Sequence, residues 1–324
     1  MTLQYRTIEE SAVSTDISSR GRLRFEGPDA ASFLHALVTN DVEGLAPGRG
    51  CYAAWLTPQG RMITDLRLFR DETGVTAEVP EGLAAALQTR FDQLIFSENV
   101  QVTDITDSTQ SALVVGGRAA AAVAEATGAD PAAVEALSIF GHLTVGDFRV
   151  IRTDETLLPT FEVWTEKTPD VFLGPGFSQG FGDPKKTPDV FFEALRIEAG
   201  RPKFGVDMTT DTIPLEAGLL DRAISQSKGC YVGQEVIVRI LHRGGGKVVK
   251  HLMTLTFEAA VTDVPAAGTT LAHDGKEVGA VTSAARSLVS GHVIALGYVH
   301  RDAATVGQVL QSPAGAVTIT GFAG

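Results

Sequence analysis

Hydrophobic and polar positions alternate with two different periods along the first half of the chain. Apolar residues recur at helical spacing in residues 29–38 and again in residues 83–94, which predicts two amphipathic helices. An alanine-rich segment further on predicts a third helix. Between these helices lie short runs that favour strands, at residues 23–25, 63–69, 100–102, 112–115, 145–151 and 161–164. This order of elements predicts a mixed α+β fold with interleaved sheets.

The pattern changes after His251 to short strands separated by frequent turns. The predicted strands are residues 252–257, 278–282, 293–299 and 317–320. Asp274-Gly275 is a hairpin signal between strands. A strand-rich tail of this kind predicts a small separate β-barrel or sandwich. We place the boundary near Gly244–Gly246, which gives an α+β region over residues 1–246 and a C-terminal domain over residues 247–324.

Residues 165–188 interrupt the alternation with Gly, Pro and charged residues. The hexapeptide KTPDVF occurs twice here, at residues 167–172 and 186–191. Because loops absorb extra length at small entropic cost, a tolerated surface insertion explains the duplication. The second copy leads into a predicted helix, with Thr187 as its cap, Pro188 at its first position and Gly200 just past its end.

Composition describes an ordinary globular protein, with 44% hydrophobic and 20% charged residues. The formal charge of −12 and the pI near 5.0 exclude a surface coated for nucleic acid, which needs a basic face. No apolar run predicts a signal peptide or a membrane helix. Two cysteines cannot build a disulfide framework. We therefore expect a cytoplasmic protein without membrane contact, and a monomer.

Glu198 is the first candidate for chemistry. It lies in RIEAGRPKFG, in the last turn of the predicted helix, where the helix dipole disfavours a carboxylate. A carboxylate in this position needs a donor. Arg196 or Arg201 would supply one within the protein, and a bound ligand with two N–H groups would supply one from outside. Both readings stay open on the residues alone.

The segment KGCYVGQE, residues 228–235, holds the second candidate. If residues 233–241 are helical, Cys230 lies near a helix N-terminus and close to the Lys228 ammonium, and both features lower a thiol pKa. The same residues also alternate as a strand would, and a lone cysteine is often a buried small hydrophobic residue. A basic run follows, made of Arg239, Arg243, Lys247 and Lys250. This run is either a solvated face of the protein or a binding site for the anionic tail of a ligand.

These segments together resemble the GcvT/YgfZ superfamily, which contains the glycine-cleavage aminomethyltransferase (T-protein) and the YgfZ proteins linked to iron–sulfur protein maturation. RxEAG with the following PLEAGL is similar to a stretch that the superfamily shares. KGCYVGQE is similar to the YgfZ signature, which T-proteins lack. GPDAASFLHALVTNDV, residues 27–42, resembles the opening helix of the superfamily. The likeness runs from about Arg22 into the C-terminal domain.

The resemblance implies intertwined ferredoxin-like α+β units and a C-terminal β-barrel around a central folate site. It implies tetrahydrofolate, or a one-carbon derivative, as the cofactor, and Glu198 as the anchor of the pterin ring, because a carboxylate can accept two adjacent ring N–H groups. Cys230 corresponds to the signature cysteine. The other expected binding residues are Lys228, Tyr231, Gln234 and Arg239. One cysteine cannot hold an iron–sulfur cluster, so we expect no metal site.

Asp65, in GRMITDLRLF, falls where T-proteins carry two acidic residues, one of them catalytic. Thr64 takes the first of these places, and Phe204 stands where T-proteins commonly have a tyrosine. Asp65 is therefore either a catalytic carboxylate or a residue that ends a strand.

The resemblance implies an accessory protein for iron–sulfur cluster assembly or repair that binds tetrahydrofolate. Its partners would be iron–sulfur client proteins, including the enzymes that modify tRNA, with no direct contact to nucleic acid. The alternative is an aminomethyltransferase-like, folate-dependent one-carbon transferase. A folate-binding regulatory module without chemistry is a third possibility. Whether the protein is an enzyme stays open at this point.

Overall fold

The computed structural model describes residues 3–166, 189–243 and 245–324. The chain begins with α1 (Leu3–Glu9), β1 (Val13–Asp16), β2 (Gly21–Glu26), α2 (Ala30–Leu37), β3 (Arg49–Leu56), β4 (Met62–Arg70), β5 (Gly74–Val79), α3 (Ala84–Asp92) and β6 (Gln101–Asp104). Strands β2 to β6 form an antiparallel sheet in the order β3-β4-β5-β2-β6. The predicted helices at residues 29–38 and 83–94 are confirmed.

Aromatic residues fill the space between this first sheet and its helices. The ring of Phe91 on α3 stacks on Trp55 with centroids 4.2 Å apart, and it meets Phe25 edge-on at 5.0 Å. Phe33 and Leu34 of α2 are buried in the same core. The apolar stripe read from the sequence is therefore the stripe that packs on the sheet.

A second sheet follows, and it takes in the first strand of the chain. Its elements are β7 (Thr109–Val115), α4 (Ala119–Thr127), α5 (Pro131–Glu135), β8 (His142–Val145), β9 (Phe148–Thr153) and β10 (Thr160–Glu166). The strand order is β1-β7-β10-β9-β8, with Val13 paired to Val115. Because β1 and β2 belong to different sheets, the two units are interleaved as predicted. The single strand predicted at residues 145–151 is wrong, since Gly146 adopts a positive φ of 54° and turns the chain between β8 and β9.

Three short helices connect the sheets to the C-terminal domain. They are α6 (Asp189–Glu198), α7 (Leu220–Ala223) and α8 (Gln234–Val238), and a π-helical turn over Arg239–Arg243 follows α8. The helical reading of residues 233–241 is thus confirmed, and the strand reading is wrong. Gly200 follows α6 with a φ of 68°, as predicted. The predicted cap at Thr187, Pro188 and the insertion lie outside the described residues.

The C-terminal domain is a closed antiparallel barrel. Its strands are β11 (Lys250–Phe257), β12 (Thr270–His273), β13 (Lys276–Arg286), β14 (Val293–His300), β15 (Val309–Ser312) and β16 (Gly315–Phe322), in the order β11-β14-β13-β12-β15-β16. Asp274 and Gly275 both adopt positive φ and form the predicted hairpin turn between β12 and β13. Of the two predicted architectures for the C-terminal domain, the barrel is therefore confirmed and the sandwich is wrong.

Asp207 joins the barrel to α6 through buried hydrogen bonds. The residue is 2% exposed. Its Oδ1 accepts from the hydroxyls of Thr282 and Ser283 on β13 at 2.5 and 2.7 Å. Its Oδ2 accepts from Arg196 on α6 at 2.7 Å and from the Lys203 main-chain N–H at 3.0 Å. One carboxylate thus fixes the barrel relative to the helix. No helix in the described part of the chain is long and apolar enough to cross a membrane.

Candidate functional site

A cavity of about 440 Å³ lies where both sheets, α6 and α7 meet. Its volume falls within the range of roughly 300–1,000 Å³ that is typical of small-molecule sites. Charged groups of both signs line it, together with the apolar side chains of Ile17, Leu113, Phe192 and Phe204. The cavity can therefore receive a ligand that has an aromatic part and a polar or anionic part.

Asp65 faces this cavity from the middle of β4. The hydroxyl of Tyr52, on the neighbouring strand β3, donates a hydrogen bond of 2.7 Å to Asp65 Oδ2. Burial raises the pKa of Asp65, and the hydrogen bond from Tyr52 and the charge of Arg67 oppose this rise. A carboxyl group with a raised pKa is suited to proton transfer. The suggestion that Asp65 ends a strand is wrong, because β4 continues to Arg70, and its catalytic role stays a prediction.

Three arginines and three glutamates form a buried cluster beside the cavity, which we call the Arg–Glu cluster. Its members are Arg20, Arg22, Arg67, Glu78, Glu155 and Glu162. Arg20 and Arg67 each pair with all three glutamates, and Arg22 pairs with Glu78 at 3.3 Å. Trp164 also donates to Glu162 at 2.9 Å. Opposite charges are therefore matched within the cluster.

The Arg–Glu cluster is the part of the site that the sequence does not reveal. Arg22 and Glu78 are almost completely buried, yet they alternate with apolar residues on their strands. Such alternation is typical of a strand with one face in solvent. Here the second face lies against the other sheet, so the polar positions are buried too.

Asp154, in the loop between β9 and β10, holds two further arginines at the cavity wall. Arg222 of α7 binds it through two hydrogen bonds, from Nε to Oδ2 at 2.9 Å and from Nη2 to Oδ1 at 2.7 Å. Arg201 approaches Oδ2 at 3.2 Å through Nη2. The guanidinium of Arg222 also lies over the ring of Tyr52, 5.0 Å from its centroid. The sequence pattern gives no indication of these contacts.

Glu198 is the last residue of α6, and it is half-buried outside the lining of the cavity. Burial raises the pKa of its carboxyl, and a hydrogen bond with the Ser287 side chain opposes the rise. Its Oε2 is buried and has no hydrogen-bond partner among the described residues. Arg196 and Arg201 bind Asp207 and Asp154 instead, so the arginine partner for Glu198 considered above is wrong. Its role as the pterin anchor stays a prediction.

Lys228 caps the C-terminal end of α2. Its ammonium donates to the carbonyl oxygens of His35, Val38 and Asn40, the last two at 2.7 and 3.1 Å. Burial lowers the pKa of Lys228 to about 8, so the group is still mostly charged at neutral pH. A cation at this end of a helix binds free carbonyls and complements the helix dipole. Lys228 therefore fixes the KGCYVGQE segment to α2.

The thiol of Cys230 is exposed, so the reading of this residue as a buried small hydrophobic side chain is wrong. Gly233 has a φ of 85°, and a Cβ there would lie 2.5 Å from the Thr57 carbonyl oxygen, so the turn before α8 requires glycine. Gln234 Oε1 accepts a hydrogen bond from the Tyr231 N–H at 3.4 Å. Arg239 begins the π-helical turn and is exposed. Cys230 thus lies on an exposed turn between two points that are fixed to the fold, Lys228 and the buried Tyr231.

None of the four described residues Lys228, Tyr231, Gln234 and Arg239 is among those that line the cavity. Their assignment to folate binding stays a prediction. Cys230, also expected to act in chemistry, is likewise absent from the lining. Among the described residues, no group of His, Cys, Asp or Glu side chains is arranged to hold a metal ion.

We expect the two cysteines to differ sharply in reactivity. Cys51 is buried on β3, and burial raises the pKa of its thiol to about 12. The thiolate fraction at neutral pH is then about a thousandfold lower than for an ordinary thiol. A chromogenic disulfide reagent should label Cys230 quickly in the folded protein and Cys51 only after urea is added. Cys230→Ser should abolish the fast phase. Fast labelling of two thiols in folded protein would contradict the buried position of Cys51.

Two domain families, taken together, match more than half of this chain. The GCVT N-terminal domain matches residues 2–154, and the glycine cleavage T-protein C-terminal barrel domain matches residues 250–320. The chain belongs to the GcvT-like aminomethyltransferase superfamily. The predicted fold of intertwined sheets and C-terminal barrel is that of this superfamily.

Relatives and a solved structure agree with this placement. An aminomethyltransferase of Synechocystis is 29% identical over 95% of this chain and 82% of the relative. One from Corynebacterium jeikeium is 28% identical over 98% of this chain and 86% of its own length. The crystal structure of the glycine cleavage system aminomethyltransferase T from Bartonella henselae superposes with a TM-score of 0.83 at 22% identity, covering 98% of this chain and 88% of that one. The likeness to that structure establishes the fold.

Proposed function

We propose that this protein binds tetrahydrofolate, or a one-carbon derivative of it, and acts as a YgfZ-type accessory protein for iron–sulfur cluster assembly or repair. Its clients would include the iron–sulfur enzymes that modify tRNA, which makes its connection to tRNA indirect. Membership of the GcvT-like superfamily supports the folate part of the proposal. The KGCYVGQE segment supports the accessory role.

The residues of the cavity fit a reduced folate. A pterin ring presents N–H donors, and the carboxyl group of Asp65 on the cavity wall is a matching acceptor. The aromatic and aliphatic linings suit the ring systems of the cofactor, while the arginines suit its carboxylates. A bound folate would supply the capacity to carry a one-carbon group. Asp65, with its raised pKa, would hold or release a proton beside it.

The observation that carries the accessory role is the position of the signature cysteine. Cys230 is exposed and lies outside the cavity lining, while Lys228, two residues earlier, is fixed by three carbonyl oxygens. An exposed thiol on an anchored turn is placed to meet another protein. Aminomethyl transfer inside the cavity would have no need of it.

A second candidate is folate-dependent one-carbon transfer, and the Tyr52–Asp65 pair favours it. A carboxyl group with a raised pKa at the wall of the cavity is the group such a transfer needs. The relatives from Synechocystis and Corynebacterium jeikeium carry the name aminomethyltransferase. The two candidates differ in the residue they require, since the first depends on Cys230 and the second on Asp65.

Complementation separates the candidates. In cells that lack this protein, we expect the activity of several iron–sulfur enzymes to fall, wild type and Ser227→Ala to restore it, and Cys230→Ala to fail. Ser227 is an exposed residue of the same turn, so it is a matched control. Restoration by Cys230→Ala, together with failure of Asp65→Asn and measurable turnover of an aminomethyl donor, would reject the accessory role in favour of transfer.

Calorimetric titration with tetrahydrofolate tests the cofactor directly. Wild type and Cys230→Ala should bind with equal affinity, because the thiol is outside the cavity. Glu198 also lies outside the lining of the cavity, so its variant tests the pterin anchor separately. Glu198→Ala should bind more weakly if this carboxylate anchors the pterin, and an unchanged affinity would remove Glu198 from the site. Absence of binding to wild type would reject the folate proposal as a whole.

A further inference from the structure

Two arginines at the cavity wall share one carboxylate side chain. Arg201 and Arg222 come from different segments and both pair with Asp154. In the Arg–Glu cluster, by comparison, three arginines face three glutamates. Arg201 directs its remaining contacts to the main-chain oxygens of Asp154 and Gly324.

Arg222 has one side of its guanidinium free for a ligand. Its Nε and Nη2 bind Asp154, whereas no acceptor for its Nη1 is found in the described part of the chain. The group lies over the ring of Tyr52, and its charge lowers the pKa of Asp65, so it is near both residues of that pair. Its side chain is 18% exposed and belongs to the lining of the cavity. Because Nε and Nη2 are held by Asp154, the guanidinium is fixed in position, and Nη1 can donate to an acceptor on a ligand.

Arg201 and Arg222 also affect each other. Burial lowers the pKa of Arg201, and the neighbouring charge of Arg222 lowers it further. The two guanidinium groups repel each other, and a bound anion would reduce this repulsion, so the pair favours anion binding. A guanidinium with a planar set of N–H donors suits a carboxylate in particular.

We infer that Arg222, oriented by Asp154 and Tyr52 and assisted by Arg201, is a carboxylate-binding subsite of the cavity. The inference rests on the proposed binding of a reduced folate and specifies how that ligand is recognised. The carboxylate could come from the glutamyl group of the folate or from a small second substrate that carries a carboxylate. Both sources share the same chemistry, and fragments of the ligand distinguish them.

Titration calorimetry with three probes tests the subsite. They are tetrahydrofolate, a tetrahydropterin that lacks the p-aminobenzoylglutamate tail, and p-aminobenzoylglutamate. If the glutamyl group is the source, Arg222→Gln should weaken tetrahydrofolate binding by about tenfold to a hundredfold, the range for losing a hydrogen bond to a charged group. The same variant should bind the tailless pterin as wild type does. That second result also shows that the variant is folded.

A small substrate that carries a carboxylate gives a different result. In that case glycine, added to wild type already saturated with tetrahydrofolate, should bind, and Arg222→Gln should abolish that second event while the affinity for tetrahydrofolate stays unchanged. Either pattern supports the subsite. Arg118→Gln is the matched control and should behave as wild type. Arg118 is exposed, directly precedes α4 and is not among the residues that line the cavity.

The inference would be overturned if Arg222→Gln and the milder Arg222→Lys bound every probe, glycine included, as wild type does. It would also be overturned if wild type bound the tailless pterin as tightly as tetrahydrofolate and showed no affinity for glycine, and this comparison needs no variant to fold. In both cases tetrahydrofolate still binds, so the proposed function survives. If wild type binds none of the folate probes, the proposed function itself fails.

Discussion

Glu78→Gln is expected to lower the free energy of unfolding by about 3–5 kcal/mol, the range measured when one partner of a buried ion pair is removed. Glu78 pairs with Arg20, Arg22 and Arg67, and Arg22 is completely buried. In the variant, three arginines would share two carboxylates. Glutamine keeps the size of the side chain, so the loss reports on charge and hydrogen bonding more than on packing.

Urea denaturation followed by tryptophan fluorescence measures this effect. Glu81→Gln is the matched control, since Glu81 also lines the cavity but is exposed. It should change the free energy of unfolding by no more than about 0.5 kcal/mol, as is usual for surface substitutions. Equal stabilities of the two variants would show that the Arg–Glu cluster gains nothing from its third carboxylate.

Asp207→Asn should destabilise the protein by a similar amount, about 3–5 kcal/mol, because it leaves Arg196 with a buried charge that has lost one partner. In wild type, the Lys203 N–H and the hydroxyls of Thr282 and Ser283 donate to the Asp207 carboxylate. The amide N–H₂ of asparagine would face such donors and could not accept from them. Arg196 lines the cavity, so the variant should weaken ligand binding as well.

Differential scanning calorimetry is the suitable measurement for Asp207, because it shows whether the barrel separates from the rest. We expect the barrel to melt as a distinct transition in Asp207→Asn and together with the sheets in wild type. Asp211→Asn is the control, as Asp211 is an exposed neighbour whose ion pair with Arg61 is at the surface. A single transition at the wild-type temperature in Asp207→Asn would show that the apolar contacts of α6 suffice to hold the barrel.

Local chemistry explains which parts of the fold the sequence predicts well. Asp274-Gly275 is a turn because both residues tolerate positive φ, whatever the rest of the chain does. The helix at residues 29–38 shows its buried stripe directly in its spacing. Strands β3 and β5 give no such signal, because nearly every residue in them is buried and no alternation remains.

The candidate site is predicted only in part, for a related reason. Asp65 stands out through its resemblance to a motif, and the structure places it at the cavity. Arg222 and Asp154 are brought together across 68 positions of sequence by the packing of α7 against the sheets. Single charged residues scattered at such distances look like surface residues. Only the tertiary fold shows that they share a cavity.

The pairing of β1 with β7 has a consequence for how the chain folds during synthesis. Strands β2 to β6 can complete their sheet as soon as they leave the ribosome. Val13 has to wait for Val115, about a hundred residues later, which at bacterial and eukaryotic elongation rates takes roughly 5–20 s. For that time β1 has no partner strand, and the first sheet itself is complete only once β6 ends at Asp104, shortly before Val115 is made. The first strand therefore forms its contacts late, and this long-range pairing raises the contact order of the fold, which slows folding.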